Sequence, residues 1–286
     1  MSIDLHIHSN FSDGAFSPSE LVSRALQQGV DTIAIADHDS VSGVAEALAA
    51  GCACGVMVIP AVELSVEFAE WQDIHLLGYG IDCTDSRFLD ELAKFRQRRA
   101  SRNDVILDRV NEKLTDEGHQ ELDRVRVHSF ARDAIGRPHI ARALVERGYA
   151  SCMEDAFKRY LVPCNVPKYY WGMHEAITEI HRIGGVAVLA HPTSITKDTA
   201  VLTDVMTKLQ ACELDGIEVY NNMGWALEIE FLRRFADDSG LLKTAGSDFH
   251  GSEEGLEIGR GREGMRFDHS LLAPLYEQIQ LRRTAR

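Results

Sequence analysis

Residues 3–8 read Ile3-Asp4-Leu5-His6-Ile7-His8. The run Ile3–Ile7 has the length of one strand, and alternate residues of a strand point to the same side. His6 and His8 can therefore reach one ion. Six further runs of strand length follow: Thr32–Ala36, Val56–Val62, Ile74–Leu77, Val186–Ala190, Ile217–Tyr220 and Leu241–Ala245. Several are rich in Val and Ile. Long mixed polar and apolar stretches separate most of them. Ser17-Pro18-Ser19-Glu20 is a capping box with Pro at the first helical position, which predicts a helix start. Strand alternating with helix argues for a parallel sheet, open or closed into a barrel. Seven strands favour a barrel slightly short of the common eight.

The alternation breaks once. From about Asp85 to Lys168 no run reads as a strand, and Phe88, Leu92 and Phe95, then Leu107, Val110 and Leu114, recur at spacings of three and four. The expected organisation is an α/β barrel from residues 1–84 and 169–286, with a helical insertion over 85–168. Charge shifts at the same place. The chain carries a net −14, yet Lys94 to Lys168 holds 16 basic against 11 acidic residues. An acidic chain is a poor general ligand for nucleic acid, so duplex DNA is not expected as a partner.

Apolar residues make up 45 %, enough for a sizeable core. No apolar run is long enough to span a bilayer, and the first ten residues show no export signal. The expectation is a cytoplasmic protein with no membrane contact and no obligate protein partner. The six cysteines form no CxxC pair, so they read as idle thiols rather than a zinc ribbon or a disulfide framework.

Half of the 12 histidines fall at the strand runs. His6 and His8 lie on the first, and Asp13 follows in the loop. Asp37-His38-Asp39 ends the second, Glu63 the third, His75 lies on the fourth, and His191-Pro192 ends the fifth. Gly246-Ser247-Asp248-Phe249-His250 follows the last. In a parallel barrel such positions converge at the C-terminal mouth. Imidazoles and carboxylates gathered there are costly unless cations neutralise and organise them. One strand-end histidine is usually a packing residue, but a ligand type at every strand end points to metal. That argument covers His6, His8, His38, Glu63, His191, Asp248 and His250, while spacing alone leaves Asp13 and His75 open. Mixed nitrogen and oxygen donors without sulfur suit Mn, Fe or Zn. Asp37 and Asp39 read as partners that orient imidazoles. His119, His128, His139, His174, His181 and His269 read as ordinary surface or core residues.

These motifs resemble the polymerase and histidinol phosphatase (PHP) family: His6-x-His8, Ser12-Asp13-Gly14, Asp37-His38-Asp39, Glu63, His75, His191-Pro192 and Gly246-Ser247-Asp248-Phe249-His250. The resemblance covers nearly the whole chain. It implies a distorted seven-stranded β/α barrel and a metal-dependent phosphoesterase holding two or three divalent ions, manganese foremost. It assigns His6, His8, Glu63 and Asp248 to one ion. A second falls to Glu63, His75 and His191, with Glu63 bridging, and a third to Asp13, His38 and His250. The insertion, with Gly136-Arg137-Pro138-His139-Ile140, resembles a branch containing 3′,5′-nucleotide bisphosphate phosphatases and 5′-to-3′ exoribonucleases acting on short RNA.

Arg137 precedes a helix start marked by Pro138, where free N–H groups and the dipole favour an anion and a guanidinium can fork onto phosphate. A surface Arg at a routine helix start is the plainer reading, and the resemblance tips the balance to phosphate. Lys168 has the same two readings. Tyr169, Tyr170 and Trp171 can stack on a base or belong to the core. Asn221 and Asn222 can touch substrate or form a turn. The expected reaction is metal-assisted hydrolysis of a phosphate ester, with Arg137 adding charge at the phosphoryl group. His191, Asp248 or a metal-bound water is expected to protonate the leaving group. The expected substrate is a small phosphorylated molecule, a nucleotide or short RNA. Alternatives are histidinol phosphate, a cyclic sugar phosphate, or a metal-binding module without catalysis.

Overall fold

The computed structural model describes residues 2–251 and 255–284. Eight strands form one sheet: β1 (Ser2–Ile7), β2 (Val30–Ile35), β3 (Met57–Phe68), β4 (Trp71–Tyr79), β5 (Trp171–Gly172), β6 (Val186–Leu189), β7 (Gly216–Tyr220) and β8 (Leu242–Ala245). The order is β1-β2-β3-β4-β6-β7-β8, and the two-residue β5 pairs with β3. Every residue of β1 is buried, as is every residue of β6. Among the described residues ten α-helices accompany the strands. The first two, α1 (Pro18–Gln27) and α2 (Val44–Cys54), lie between β1 and β3. The stretch from β4 to β5 carries α3 (Ser86–Asp116), α4 (Arg124–His128), α5 (Arg137–Glu146) and α6 (Met153–Ala156). The last four are α7 (Met173–Arg182), α8 (Thr199–Ala211), α9 (Ala226–Ser239) and α10 (Leu272–Thr284).

The expected start of α1 is present in full. The Ser17 hydroxyl accepts from the Glu20 amide, and the Ser17 amide donates to the Glu20 carboxylate at 2.8 Å. In α7 the residues Met173, Ala176, Ile177 and Ile180 follow helical spacing and bury one face against the sheet. Complete burial of each such Ile contributes about 1.5–3 kcal/mol. Asp215 ties the layers together. Its Oδ2 accepts from His181 of α7 at 2.7 Å and from the Ala187 amide of β6 at 2.8 Å. Its Oδ1 accepts from Arg282 of α10 at 2.5 Å.

The sheet departs from the all-parallel expectation at β4, which runs antiparallel to both β3 and β6. The cause is local. No helix separates β3 from β4; only Ala69 and Glu70 join them, and Ala69 takes a left-handed φ of 52°. A short hairpin connection forces antiparallel pairing. β3 also runs six residues beyond Val62, so Glu63 sits in mid-strand, opposite Leu77 and two residues from Ser65, the partner of His75. His75 reaches the site from mid-strand rather than from a strand's C-terminal end.

Among the described residues no strand lies between Tyr79 and Trp171. The first turns of α3 place Phe88, Leu92 and Phe95 in the cluster formed with β3, β4 and β6. Farther along, Ile106, Leu107, Val110 and Leu114 belong to a second cluster closed by Ile140 and Leu144 of α5, with Tyr160 and Leu161. This helical lobe also reaches the loop after β1: the Ala134 amide donates to Phe11 O at 2.7 Å and the Arg132 amide to Asn10 O at 2.8 Å.

Candidate metal centre

Glu63 is the centre of the site. Its side chain is wholly buried, and five imidazoles surround the two oxygens. Oε1 lies 3.1 Å from His75 Nδ1 and 3.3 Å from both His6 Nε2 and His191 Nε2. Oε2 lies 2.9 Å from His38 Nδ1 and 3.4 Å from His8 Nε2. Short as they are, these contacts lack hydrogen-bond alignment, and both Glu63 oxygens, His38 Nδ1 and His75 Nδ1 are buried without a partner. A buried carboxylate that lacks partners costs several kcal/mol. Donor atoms facing common points rather than one another are what cations between them require.

Asp248 and Asp13 complete the cluster. Asp248 Oδ1 lies 3.1 Å from His8 Nε2, and Asp13 Oδ1 lies 3.3 Å from His250 Nε2. Three sets of donor atoms are each close enough to share an ion: His6, His8 and Asp248; His38, Glu63 and His75; and His8, Asp13, His38 and His250. Eight of the nine expected ligands fall in these sets, Asp13 and His75 among them. His191 stands outside them but next to the cluster, 3.3 Å from Glu63, and His38 takes the place beside Glu63 and His75 that was expected for His191.

Charge is balanced within the cluster. Burial pushes Glu63 upward, but the imidazoles of His75, His6 and His38 outweigh it and hold the carboxyl well below its usual range. Asp13 and Asp248 behave alike, each drawn down by neighbouring imidazoles against burial. Burial lowers His38 to about 4 despite the carboxylates beside it. Ionised carboxylates and a neutral His38 are protonation states that metal ligands need, whereas His6 and His191, though burial lowers them, are raised by Glu63 and the other carboxylates beside them.

Local structure explains the aim of His6 and His250 and the placing of His191. Glu218 of β7 accepts from His6 Nδ1 at 3.0 Å, which turns Nε2 toward Glu63. Its other oxygen accepts from the His191 amide at 2.8 Å. The Asp248 carbonyl accepts from His250 Nδ1 at 2.9 Å and frees Nε2 for Asp13. Such outer partners orient ligating histidines. Asp248 and His191 take left-handed φ values of 54° and 26°, a strain tolerated where surrounding bonds over-determine the backbone. Gly246 is required behind them, since a Cβ there would meet His6 Cβ at 2.2 Å. Gly14 likewise lies against the His8 carbonyl, where a Cβ would come within 2.2 Å.

Glu218 was outside the sequence reading. It sits on a strand expected to be structural, two residues before its end, and only its contact with His6 reveals it. Asp37 and Asp39 do not orient imidazoles as expected. Asp37 accepts from the Ser9 amide and from the Ser9 and Ser12 hydroxyls, fixing the loop that carries Asp13. Asp39 binds Ser65 and Arg99. Their side chains lie behind the ligand layer because His38, between them, turns inward.

A narrow cleft borders the cluster on the helical lobe's side. Asp13, His38 and His75 line it together with Asp73 and with Arg99, Arg102, Arg137 and Lys168. Arg137 is the first residue of α5, so Pro138 takes the second helical position rather than the first. Lys168 Nζ lies 2.7 Å and Arg137 Nη2 3.4 Å from Asp73. Asn222 spends its side-chain N–H on the Ser247 carbonyl at 2.5 Å and so braces the segment carrying Asp248. Trp171 is buried and stacks on Phe95, whereas Tyr169 is exposed.

Residues 4–164 match the model of the PHP domain, more than half of the chain. The chain belongs to the PHP family. Among PHP relatives, the 5′-3′ exoribonuclease Rnm of Escherichia coli is 35 % identical over 265 residues, covering 90 % of this chain and 88 % of that protein. The 3′,5′-nucleoside bisphosphate phosphatase of Chromobacterium violaceum is 31 % identical over 258 residues, covering 89 % of each. A solved amidohydrolase structure from Chromobacterium violaceum, with bound sulfate and no metal, superposes with a TM-score of 0.83 at 29 % identity. The match covers 99 % of this chain and 97 % of that one. No described helix is long and apolar enough to cross a membrane.

Proposed function

We propose that this PHP protein is a metal-dependent phosphoesterase acting on nucleotides: it removes the 3′-phosphate of 3′,5′-bisphosphates and shortens 5′-phosphorylated RNA. The observation that carries the reading is Glu63, buried and without hydrogen bonds among five imidazoles. Metal cations placed between these donors satisfy that arrangement. The identities of the two nucleotide-directed relatives point to the substrate class.

The three donor sets would hold two or three divalent ions, manganese first, with iron or zinc as alternatives. When bound, such ions supply Lewis acidity toward phosphoryl oxygens and acidify water at the site. The chain positions everything else. Glu218 keeps His6 Nε2 aimed into the cluster, and the Asp248 carbonyl does so for His250. Asp248 and His191 act at the reacting phosphoryl group as ligands. Arg137 and Lys168 bind a second phosphate at the edge of the cluster, where Arg99 and Arg102 line the same cleft and add to its positive charge.

In this reading residues 1–84 and 169–286 form a distorted seven-stranded barrel and residues 85–168 a roof over its mouth. Support comes from the segment after β8, which returns to β1: the Asp248 amide donates to His6 O and the His8 amide to Phe249 O, both at 2.9 Å. The separate apolar cluster of the helical lobe supports the roof. The test is a panel of mono- and bisphosphorylated nucleotides and 5′-phosphorylated trinucleotides, assayed before and after exhaustive chelation. Hydrolysis that chelation abolishes and manganese restores is expected. Full activity in protein with less than one ion per chain would overturn the reading.

A further inference from the structure

A second, larger cleft of about 710 Å³ reaches the metal centre through other residues of the cluster, Asp248 and His250. Ser194, Lys197, Met223 and Arg262 line it as well. The narrow cationic cleft shares Asp13, His38 and His75 with the cluster, so the two clefts meet across it. Arg262 is held by two hydrogen bonds and a ring contact. Its Nε and Nη2 donate to the Asn222 carbonyl at 3.1 and 2.9 Å, and its guanidinium lies 4.1 Å from the centre of the Trp225 ring. Asn222 in turn donates to Ser247, beside Asp248. Trp225 is 54 % exposed and Met223 42 % exposed. Asn222 and Ser247 thus connect a planar, half-open cation and indole to Asp248.

The two proposed reactions differ in one respect. Removing the 3′-phosphate of a bisphosphate breaks the P–O3′ bond: water oxygen bonds to phosphorus, and the O3′ alkoxide leaves and takes up a proton. Releasing a 5′-terminal nucleotide from RNA breaks the same P–O3′ bond and leaves a new 5′-phosphate on the shortened chain. The terminal 5′-phosphate and first nucleoside are common to both. Only RNA has a nucleoside on the far side of the reacting phosphorus. The cationic cleft suits the common phosphate, and a site for the extra nucleoside must lie across the cluster from it.

Resting on the nucleotide reading above, we propose that the Arg262–Trp225 pair is the stacking platform for the base of the second nucleotide of an RNA substrate. A guanidinium plane backed by an indole stacks on any base without reading its identity. The platform makes RNA a substrate; the bisphosphate does not touch it.

Trp225→Ala and Arg262→Ala test this against two substrates, a 3′,5′-bisphosphate and a 5′-phosphorylated trinucleotide. Each variant should lose roughly tenfold in kcat/KM on the trinucleotide, as expected for one stacked base, and keep bisphosphate hydrolysis within about twofold. A phosphorothioate-linked trinucleotide should quench tryptophan fluorescence of the metal-loaded wild type, and Trp225→Phe should abolish that quench while Trp71 and Trp171 still emit. Equal losses on both substrates, or unchanged trinucleotide hydrolysis with the quench retained in Trp225→Phe, would overturn the platform. A wild type that cleaves the bisphosphate but neither cleaves nor binds the trinucleotide overturns it too, and spares the reading of the metal site. A wild type inactive on both overturns that reading and the platform with it.

Discussion

Lys168 and Asp73 form an ion pair of 2.7 Å at the rim of the metal centre, and Arg137 reaches the same carboxylate at 3.4 Å. Asp73 stands two residues before His75 on β4 and takes a left-handed φ of 59°. Burial would raise its carboxyl, but Lys168 holds it far below the usual range, with help from His75 and Arg137. In the proposed reaction the incoming phosphate competes with this carboxylate for both cations. Asn tolerates the left-handed backbone, so Asp73→Asn removes the competitor without strain. Asp73 is part-exposed, and such pairs contribute about 0.2–1 kcal/mol, so KM for a bisphosphate should fall by up to about fivefold with kcat unchanged. A KM that stays constant or rises would show that Asp73 arranges the cations rather than competing for them.

Arg137→Ala should erase most of the preference for bisphosphorylated over monophosphorylated nucleotides. Losing one charged hydrogen bond to the second phosphate costs about 1.5–3 kcal/mol in kcat/KM. Metal content should not change, because Arg137 touches no ligand atom. Paired kinetics decide it: equal slowing on both substrates would place Arg137 at the reacting phosphate or in the fold.

Asp248→Asn removes a charged donor from the set shared with His6 and His8. By analogy with removal of an electrostatic stabiliser, kcat should drop roughly a hundredfold or more. Circular dichroism should remain that of the parent. Near-normal turnover in metal-saturated mutant protein would remove Asp248 from the ligands.

Glu218→Gln tests orientation rather than ligation. Gln keeps the shape but weakens the hold on His6 Nδ1 and the His191 amide. Loss of such an outer partner typically costs about 10–100-fold in metal affinity or activity. Metal titration should show the weakening directly, with partial rescue of activity by excess metal. An unaltered titration would assign Glu218 to packing alone.

Asp215 supplies a pH signature away from the metals. Burial raises its carboxyl, but His181, Arg282 and the Ala187 amide outweigh that and hold it below its ordinary 3.8. A depressed folded value means the stabilisation is complete above 3.8 and is lost as pH falls through the folded value. Asp215→Asn should therefore destabilise the protein by about 1.5–3 kcal/mol at neutral pH. The gap in urea midpoint should narrow once pH drops below about 4. A gap independent of pH would mean that shape, not charge, makes the contribution.

The sequence by itself determined the strand runs, the α1 start and the metal-ligand types, because these depend on local periodicity, capping chemistry and donor identity. His6 and His8 are legible as a pair since two residues of one strand must share a side. Seven of the nine candidate ligands could be listed because each is a donor type at a strand run; Asp13 and His75 entered only through the family resemblance. Tertiary structure alone decided the direction of β4, because a two-residue hairpin looks in sequence like any brief gap between apolar runs. It alone brought Glu218 to His6, 212 positions apart in the chain, and set Asp73 between Arg137 and Lys168. Asp37 shows the same limit in reverse: proximity to His38 in sequence suggested a shared task, yet neighbours on an extended chain face opposite ways, and its carboxylate turned to the serines of the loop after β1.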